Sequence, residues 1–357
     1  MSPASSIPAP GAPSAGTSPA LLSPRQSAPA SSSTKHDEAV TGPDGRAPSV
    51  VILAGGLSHE RDVSLRSGRR VAEALRSAGA DVAVLDLDAD LVPALSDLHP
   101  DLVWPLLHGA SGEDGSVQDM IQLLGYPILG TGPRASRIAW SKPIAKRVVA
   151  QAGLATPDFV TLPQSLFREL GAARVLDAVV SRLGLPLVVK PASGGSALGV
   201  SLVTSADDLP RAMVDCFAYG DTALIEHAVL GTEVAVSVID TGSGPTALPV
   251  VEIVTDGAYD FDARYNPGRT EYFTPARLDP ALTATVAAAG VTAHVALGLE
   301  RLSRTDLIVT DDGVVHFLEV NIAPGMTETS LFPQAVEASG HNLGDLYRSL
   351  VTASLRV

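Results

Sequence analysis

The sequence predicts an α/β and α+β protein of three domains, with a parallel α/β domain (47–131) followed by two mixed domains (132–229 and 230–357). In the first segment strand patterns alternate with helix patterns, which is typical of an open parallel sheet covered by helices on both faces. In the later segments hairpin patterns are mixed with helices, which indicates α+β units. We therefore expect the ligand site in the clefts between the domains.

Composition limits the classes of partner. The 357-residue chain is 45% hydrophobic and 18% charged, which is enough to bury several cores. Its net charge of -14 argues against a nucleic-acid or membrane-surface binder, because such partners require clustered Lys and Arg. The single cysteine, Cys216, excludes an internal disulfide and fits a reducing, cytoplasmic location. No apolar stretch approaches the roughly 20 residues that span a bilayer.

Residues 1–46 differ in composition from the rest of the chain, because Pro, Ala, Ser and Gly dominate them. Such a segment cannot bury enough apolar surface to offset the entropy lost on ordering. It also lacks the charged start and apolar run of a secretion signal. The composition therefore predicts a disordered tail.

The N-terminal domain begins with a buried strand, SVVILAGG (49–56), that runs directly into glycines. A helix pattern, two strand patterns and a second helix pattern follow before the apolar segment YPILG. In order, these patterns are VSLRSGRRVAEALRSAGA, DVAVLDLD, DLVWPLLHG and DGSVQDMIQLLG.

The central domain alternates less regularly, and one of its strands returns as a hairpin. Its helix patterns are SKPIAKRVVAQAG, ARVLDAVVSRLG and DDLPRAMVDCFAYG. Its strand patterns are DFVTL, LPLVVK, the returning GVSLVTS and TALIEH.

The C-terminal domain opens with the strands EVAVSVID and ALPVVEIVT, which precede an irregular loop. An Ala/Val-rich helix is predicted over 280–298. The segment TDLIVTDDGVVHFLEVN predicts a hairpin around Asp-Asp-Gly, and two helices follow it.

The predicted hairpin carries a candidate metal site. Glu319 and Asn321 are two residues apart and share one face of a strand. If the hairpin pairs as expected, Asp306 lies beside them, and three oxygen donors suit Mg²⁺. Arg304 shares the face of Asp306 and could hold a developing negative charge. The alternative is an ordinary surface hairpin, because the register is assumed.

Three glycine-rich turns are candidate ligand loops. The stretch LVVKPASGGSALGVS (187–201) follows a strand that ends near Lys190, and it either cradles phosphate or only turns a hairpin. HGASGEDG (108–115) ends a strand of the parallel sheet, where ligands commonly bind, although a solvated turn fits equally. In AGGLSHERDVS (54–64), Glu60 is either a ligand or an ordinary acid at a helix start.

Other familiar motifs are excluded. GTGPRAS (130–136) resembles a dinucleotide fingerprint, but no acidic partner follows at the required distance. No GxxxxGK[ST] motif occurs, which argues against a P-loop ATPase. The eight histidines lack zinc-ligand spacing, so most are interpreted as surface or packing residues, with His108 a possible exception.

In combination and in this order, these segments make the chain resemble the D-alanine–D-alanine ligase family of the ATP-grasp superfamily. The resemblance runs from about residue 49 to the C-terminus. It implies an N-terminal pre-ATP-grasp domain, two ATP-grasp subdomains and an active site in the clefts between them. The segments that carry it are GGLSHERDVSL, LLHGASGEDGSVQDMIQLLGYPILGTG, LVVKPASGGSALGVS, YDFDARYNPGRTEYFTPARL and RTDLIVTDDGVVHFLEVNIAPGMTETSL.

The resemblance implies an ATP site. Lys142 and Lys190 match the lysines that contact ATP phosphates, and a lysine is a flexible point charge suited to that contact. Glu226 and the backbone near Val229 match the adenine clamp, and Glu233 matches the acid that binds the ribose. The full set of implied ATP-binding positions is Lys142, Lys190, Ser196, Glu226, Val229, Glu233 and Arg264. The implied ligands of two Mg²⁺ (or Mn²⁺) ions are Asp306, Glu319 and Asn321.

The resemblance also implies a site for two D-alanine molecules. Glu60 matches the acid that holds the ammonium group of the first D-alanine, and His108 matches a residue near the substrate carboxyl. Arg304 with the backbone of Gly325 matches the oxyanion site. The carboxylate of the second D-alanine is expected at Ser330 and Leu331. The hydrogen-bonded side chains that close the active site are expected to be Glu60, Ser196 and Tyr265.

The implied activity is the ATP-dependent joining of two D-alanine molecules through an acyl phosphate, for peptidoglycan synthesis. The loop over about 257–276 is expected to act as a lid, and a homodimer is expected by resemblance. One alternative is a related ligase that uses D-serine or D-lactate as acceptor. A remote alternative is a nucleotide-binding protein that has lost turnover.

Several positions depart from the family pattern. Arg264 replaces a lysine, and Arg and Lys bind phosphate with different geometry. His227 and Ala228 replace a lysine and an aromatic residue in the adenine segment, and Ala197 replaces a serine in the phosphate loop. These departures leave the implied reaction class intact and the acceptor open.

Overall fold

The computed structural model describes residues 46–255 and 270–356. Most of the predicted tail lies outside the described residues, as do Arg264, Tyr265 and most of the predicted lid. Within the described part of the chain, no helix is both long enough and apolar enough to cross a membrane.

The N-terminal sheet is parallel, as the alternating pattern predicts. Its strands are β1 (Ser49–Leu53), β2 (Asp81–Leu85) and β3 (Leu102–Pro105), in the order β2-β1-β3. Its helices are α1 (Arg61–Ser77), α2 (Leu91–Leu98), α3 (Ala110–Glu113) and α4 (Ser116–Leu123). The segment YPILG forms only a single parallel bridge, from Ile128 to Val103. The two helices that the patterns miss, α2 and α3, are both short.

The central sheet is antiparallel, and the predicted hairpin is present. Its strands are β4 (Phe159–Pro163), β5 (Leu187–Pro191), β6 (Ser201–Val203) and β7 (Thr222–His227), in the order β4-β7-β5-β6. The helices of this segment are α5 (Pro133–Trp140), α6 (Lys142–Gln151), α7 (Gln164–Leu170), α8 (Ala172–Leu183) and α9 (Leu209–Phe217). Leu187 pairs with Val203, so the glycine loop joins two adjacent strands.

The C-terminal sheet is also antiparallel. Its strands are β8 (Thr232–Ile239), β9 (Thr246–Ala247), β10 (Val251–Thr255), β11 (Thr270–Phe273), β12 (Leu302–Val309) and β13 (Val315–Asn321). They follow the order β11-β10-β8-β12-β13, with β9 paired to β8. The helices are α10 (Pro280–Ala296), α11 (Leu331–Ala338) and α12 (Leu343–Leu355). The prediction of an irregular loop after β10 is wrong at β11, whose four residues are too few for a clear strand pattern.

The last two helices pack against the first sheet as well as the last one. One core cluster contains Val50 of β1, Ala235 of β8 and Tyr347 of α12. The rings of Trp104 and Tyr347 meet edge to face at 5.4 Å. This packing fixes the segment between β13 and α11, which borders the site. The domain boundaries near residues 131 and 229 stay predictions.

His294 supports a prediction about stability and pH. It is buried in α10, its Nδ1 lies 2.8 Å from Ser303 Oγ, and burial lowers its pKa to about 4. Because the folded pKa lies below the unfolded value, this group supports stability above about pH 6.5 and loses that support as pH falls towards 4. We expect the free energy of unfolding to fall by about 3 kcal/mol from this group over that range. Denaturant titrations of the parent and His294→Gln test this, and the variant should show a flatter pH dependence.

Candidate active site

The β12–β13 hairpin brings the predicted metal ligands together. Asp306 pairs directly with Glu319, and Arg304 pairs with Asn321. The Arg304 guanidinium donates two hydrogen bonds to the Asp306 carboxylate, at 2.7 and 2.9 Å. Both side chains are buried, which distinguishes this hairpin from an ordinary surface hairpin. The structure therefore brings Asp306 beside Glu319, as the sequence predicts, with a register shift between Asp306 and Leu307.

A cleft lies beside this hairpin and beneath the glycine loop. Its cavity volume is about 340 Å³. Its lining combines carboxylates of the C-terminal sheet with lysines and with glycines of the loop. The predicted ATP and metal positions that line it are Lys142, Lys190, Glu226, Val229, Glu233, Asp306 and Glu319. The volume of this cleft and its lining lysines suit a nucleoside triphosphate.

A buried three-residue ionic cluster lies at the base of the cleft. Lys190 Nζ lies 2.5 Å from Glu226 Oε1, and Lys146 Nζ lies 2.7 Å from Glu226 Oε2. Burial raises the pKa of Glu226, but the two lysines outweigh this effect and hold it below its ordinary value. Burial lowers the pKa of Lys146 to about 8, against the opposing effect of Glu226. The sequence reasoning missed Lys146, which lies on α6 four residues after Lys142.

The glycine loop connects the cleft to the N-terminal domain. Lys142 Nζ donates to the Gly194 carbonyl and lies 3.1 Å from Glu319 Oε2. Ser196 has a left-handed backbone with φ of 53°, a conformation that costs a residue with a Cβ roughly 1–2 kcal/mol. Its hydroxyl donates a hydrogen bond to Glu60, 136 positions earlier in the chain. The loop is thus tied to both sides of the site.

A second cavity of about 270 Å³ lies on the far side of Ser196. It contains the predicted substrate and catalytic positions that fall within the described residues. These lining positions are Glu60, His108, Ser196, Arg304, Gly325, Ser330 and Leu331, and the predicted metal ligand Asn321 also lines the cavity. A smaller space between the two cavities is lined by Lys142, Gly195 and Glu319 among others, so the cavities adjoin where the metal ligands lie.

His108 has an unsatisfied buried nitrogen. The side chain is 4% exposed, and its Nε2 has no hydrogen-bond partner among the described residues. Burial lowers its pKa, and the nearby Glu60 carboxylate only partly opposes this effect. The imidazole is therefore neutral near pH 7, with one nitrogen available to a ligand in the cavity.

Glu113 is a carboxyl group that the sequence reasoning did not select. It lines the second cavity, and its Oε1 accepts a hydrogen bond from the Gly109 N–H at 2.8 Å. Burial, followed by the negative charge of Glu60, raises its pKa to about 8. The motif HGASGEDG marked this turn as a ligand position without singling out the residue.

Helix α1 holds the walls of the second cavity through two buried serines. Ser64 Oγ accepts from the Gly55 N–H at 2.9 Å and donates to the Leu106 carbonyl at 2.6 Å. Ser67 Oγ accepts from the Met326 N–H at 3.1 Å. The helix therefore fixes the loop before Glu60 and the backbone beside Gly325. Sequence reasoning missed both serines, because a serine inside a helix has no motif of its own.

A comparison with protein families agrees with this geometry. The protein-family model described as D-ala D-ala ligase C-terminus matches residues 148–352, which is more than half of the chain. The chain belongs to the D-alanine–D-alanine ligase family. The match includes the glycine loop, Lys190 and Glu226 of the ionic cluster, and the β12–β13 hairpin, whereas Lys146 precedes it.

Full-length relatives in this ligase family extend the match to the N-terminal domain. A D-alanine–D-alanine ligase of Desulforudis audaxviator is 39% identical over 304 residues, covering 85% of this chain and 97% of that protein. A D-alanine–D-alanine ligase of Bordetella petrii is 40% identical over 312 residues, covering 87% of this chain and 93% of that protein.

Solved ligase structures share the fold. The D-alanine–D-alanine ligase of Bacillus anthracis matches with a TM-score of 0.75 and 30% identity, over 87% of this chain and 98% of that one. The same enzyme complexed with ATP matches with a TM-score of 0.72 and 29% identity. The VanG D-Ala:D-Ser ligase of Enterococcus faecalis matches with a TM-score of 0.75 and 25% identity, over 87% of this chain and all of that one. The predicted ATP-grasp fold is confirmed.

The donor set of this family member fits Mg²⁺. Two carboxylates and one amide oxygen are hard oxygen ligands, and Mg²⁺ takes few protein ligands when substrate phosphates complete its shell. Across residues 46–255 and 270–356, no group of three His, Cys, Asp or Glu side chains is placed to hold a metal ion. Asp306, Glu319 and Asn321 are the residues that would hold it.

Three of the four family departures line the cleft beneath the glycine loop, and the fourth, Arg264, lies outside the described residues. His227 and Ala228 line the cleft, and His227 Nδ1 is buried without a hydrogen-bond partner among the described residues. Ala197 also lines the cleft, and its φ of 54° continues the left-handed turn that begins at Ser196.

Proposed function

We propose that this protein joins two molecules of D-alanine into D-alanyl-D-alanine, with conversion of ATP to ADP and phosphate. The observation that carries the proposal is the hydrogen bond from Ser196 of the glycine loop to Glu60 of the N-terminal domain. It ties the loop over the nucleotide cleft to the wall of the second cavity. Relatives named D-alanine–D-alanine ligase at 39–40% identity support the choice of substrate.

In the first step, a carboxylate oxygen of the first D-alanine attacks the γ-phosphorus of ATP. The bond to the β,γ-bridging oxygen breaks, and ADP leaves with that electron pair. Glu60 would hold the substrate ammonium, because a carboxylate at the cavity wall attracts it. Lys142, beside Gly194 and Glu319, would hold the moving phosphoryl group.

In the second step, the free amine of the second D-alanine attacks the acyl-phosphate carbonyl. The amine loses a proton, and the carbon–oxygen bond to phosphate breaks. Arg304 and the Gly325 N–H would stabilise the oxyanion, and the second carboxylate would lie at Ser330 and Leu331. A Cβ at position 325 would lie 2.7 Å from Ser330 Oγ, so a larger residue there would displace that hydroxyl.

A divalent metal would supply charge neutralisation for the phosphates at Asp306, Glu319 and Asn321. The protein must also exclude water from the acyl phosphate, since hydrolysis would waste it. The predicted lid with Tyr265 and Arg264 would serve this purpose and stays a prediction, as do the homodimer and the cytoplasmic location.

An acceptor-competition assay tests the proposed function. The protein is incubated with ATP, Mg²⁺ and D-alanine, with D-serine and D-lactate in parallel and in competition, while phosphate and products are measured. D-alanyl-D-alanine should be the main product. Product only with D-serine or D-lactate would identify an acceptor variant of the family. ATP binding without ADP formation in every mixture would indicate a protein that has lost turnover.

We predict that Ser67→Ala lowers kcat/KM for D-alanine by about tenfold. The change leaves the buried Met326 N–H without its acceptor, next to the expected oxyanion donor Gly325. Steady-state kinetics with D-alanine varied at saturating ATP measure the effect. Ser354→Ala is the matched control, because among the described residues that buried serine donates only to the Leu350 carbonyl of its own helix. An equal loss in both variants would contradict the positioning role of Ser67.

A further inference from the structure

Lys190, a lysine expected to meet ATP phosphate, is bound to a carboxylate in this structure. Lys190 Nζ lies 2.5 Å from Glu226 Oε1, and the Glu226 side chain is 3% exposed. A buried carboxylate that loses its last cation is strongly destabilised. Lys190 can therefore move to a phosphate only if another cation stays with Glu226.

Lys146 meets that requirement. Its Nζ lies 2.7 Å from Glu226 Oε2, the oxygen that Lys190 does not contact, and its side chain is 0% exposed. Its ammonium also lies 5.3 Å from the centre of the Phe159 ring, a further favourable contact for a cation. Burial lowers its pKa to about 8, so it is mainly protonated at pH 7.

Lys146 and Lys190 differ in their access to the nucleotide cleft. Among the described residues, Lys190 and Glu226 line that cleft and Lys146 does not. Lys190 is on β5, where the glycine loop begins, whereas Lys146 is enclosed between α6 and β7. Only one of the two lysines can exchange partners with a ligand.

We propose that Lys146 is the permanent counter-ion of Glu226, which allows Lys190 to exchange Glu226 for an ATP phosphate when the nucleotide binds. This inference rests on the proposed function, because it requires ATP in the cleft. Before binding, Glu226 has two cations. After the exchange it keeps Lys146, and Lys190 neutralises phosphate charge, so no buried charge is left unpaired.

The exchange makes the role of Lys146 conditional on the charge of Glu226. In Lys146→Met, Lys190 is the last cation of Glu226, so it either stays in place or leaves a buried carboxylate unpaired. Either outcome weakens ATP binding by about 10- to 100-fold, which is the loss expected when one hydrogen bond to a charged group is not made. In a Glu226→Gln background there is no charge to leave unpaired, so Lys146→Met should change ATP affinity little.

The test is calorimetric measurement of the ATP dissociation constant, without D-alanine, for the parent, both single variants and the double variant. Adenosine serves as a second probe. Because it has no phosphate, its binding requires no exchange, and Lys146→Met should leave its affinity unchanged. Arg147→Met is the matched control, since Arg147 neighbours Lys146 on α6 and contacts the same Phe159 ring at 5.3 Å.

Circular dichroism and thermal melting show whether each variant is folded. If Lys146→Met does not fold, Lys146→Gln repeats the comparison, because it keeps a hydrogen-bond donor and removes the charge. If Lys146→Met weakens ATP binding equally whether residue 226 is Glu or Gln, the proposed exchange is wrong. It is also wrong if Lys146→Met weakens the binding of ATP and of adenosine equally. A parent protein that binds no ATP would refute the proposed function and the exchange together.

Discussion

Replacing Arg304 with methionine is expected to lower kcat at least about 100-fold, which is the usual loss when one oxyanion donor is removed. Arg304 is the buried cation of the second cavity, and it is held by two hydrogen bonds to Asp306. Arg304 lines the second cavity, so in the proposed reaction its positive charge would lie where both steps develop negative charge. Single-turnover measurements of ADP and dipeptide formation at saturating substrates give the effect on each step.

The loss of Arg304 also leaves Asp306 buried without its charged partner, so stability must be measured beside turnover. Arg304→Lys keeps a charge but not the planar fork, and we expect it to recover stability more than turnover. Arg301→Met is the control, because Arg301 donates to the Ala353 carbonyl at 2.8 Å and lies in neither cavity. Turnover in Arg304→Met close to that of the parent would contradict the oxyanion role.

The β12–β13 hairpin shows what the sequence could predict. Alternation along a strand fixes the face of each side chain, and an Asp-Asp-Gly turn limits the register. The pattern therefore places Asp306, Glu319 and Asn321 in one hairpin, and the structure pairs Asp306 with Glu319. A register shift between Asp306 and Leu307 makes this pairing possible, and the local pattern does not predict that shift.

The ionic cluster shows what the sequence could not predict. Lys146 and Glu226 are 80 positions apart, on α6 and β7, and no local pattern relates them. In the sequence, Lys146 is one more charged residue on an amphipathic helix, and such a residue is ordinarily expected to face solvent. Its burial depends on how α6 packs against the central sheet, which is a tertiary property.

The serines of α1 illustrate the same limit. Ser67 bonds to Met326, 259 positions away, because the C-terminal helices pack against the N-terminal domain. Polar residues inside a helix usually bond within it or face solvent, so the pattern gave no reason to select them. Resemblance to a family identifies the residues that contact ligands directly. The residues that hold them in position are identified only from the structure.

Replacing Glu319 with glutamine is expected to lower kcat at least about 100-fold and to raise the Mg²⁺ concentration needed for half-maximal activity. Glu319 is one of the two carboxylates of the donor set, and it pairs directly with Asp306 across the hairpin. Glutamine keeps the size and one oxygen donor but removes the charge that attracts a divalent cation. Turnover measured across a series of Mg²⁺ concentrations tests both effects.

Nucleotide binding separates a metal role for Glu319 from a structural one. Without metal, Glu319→Gln should bind ATP at least as well as the parent, because it removes a negative charge that repels the triphosphate. It also releases Lys142, whose Nζ lies 3.1 Å from Glu319 Oε2. With Mg²⁺, the variant should lose the gain in affinity that the metal gives the parent. Asp312→Asn is the control, since Asp312 bonds to Thr310 in the exposed turn of the same hairpin. The same increase in ATP affinity on adding Mg²⁺ to Glu319→Gln and to the parent would exclude Glu319 as a metal ligand.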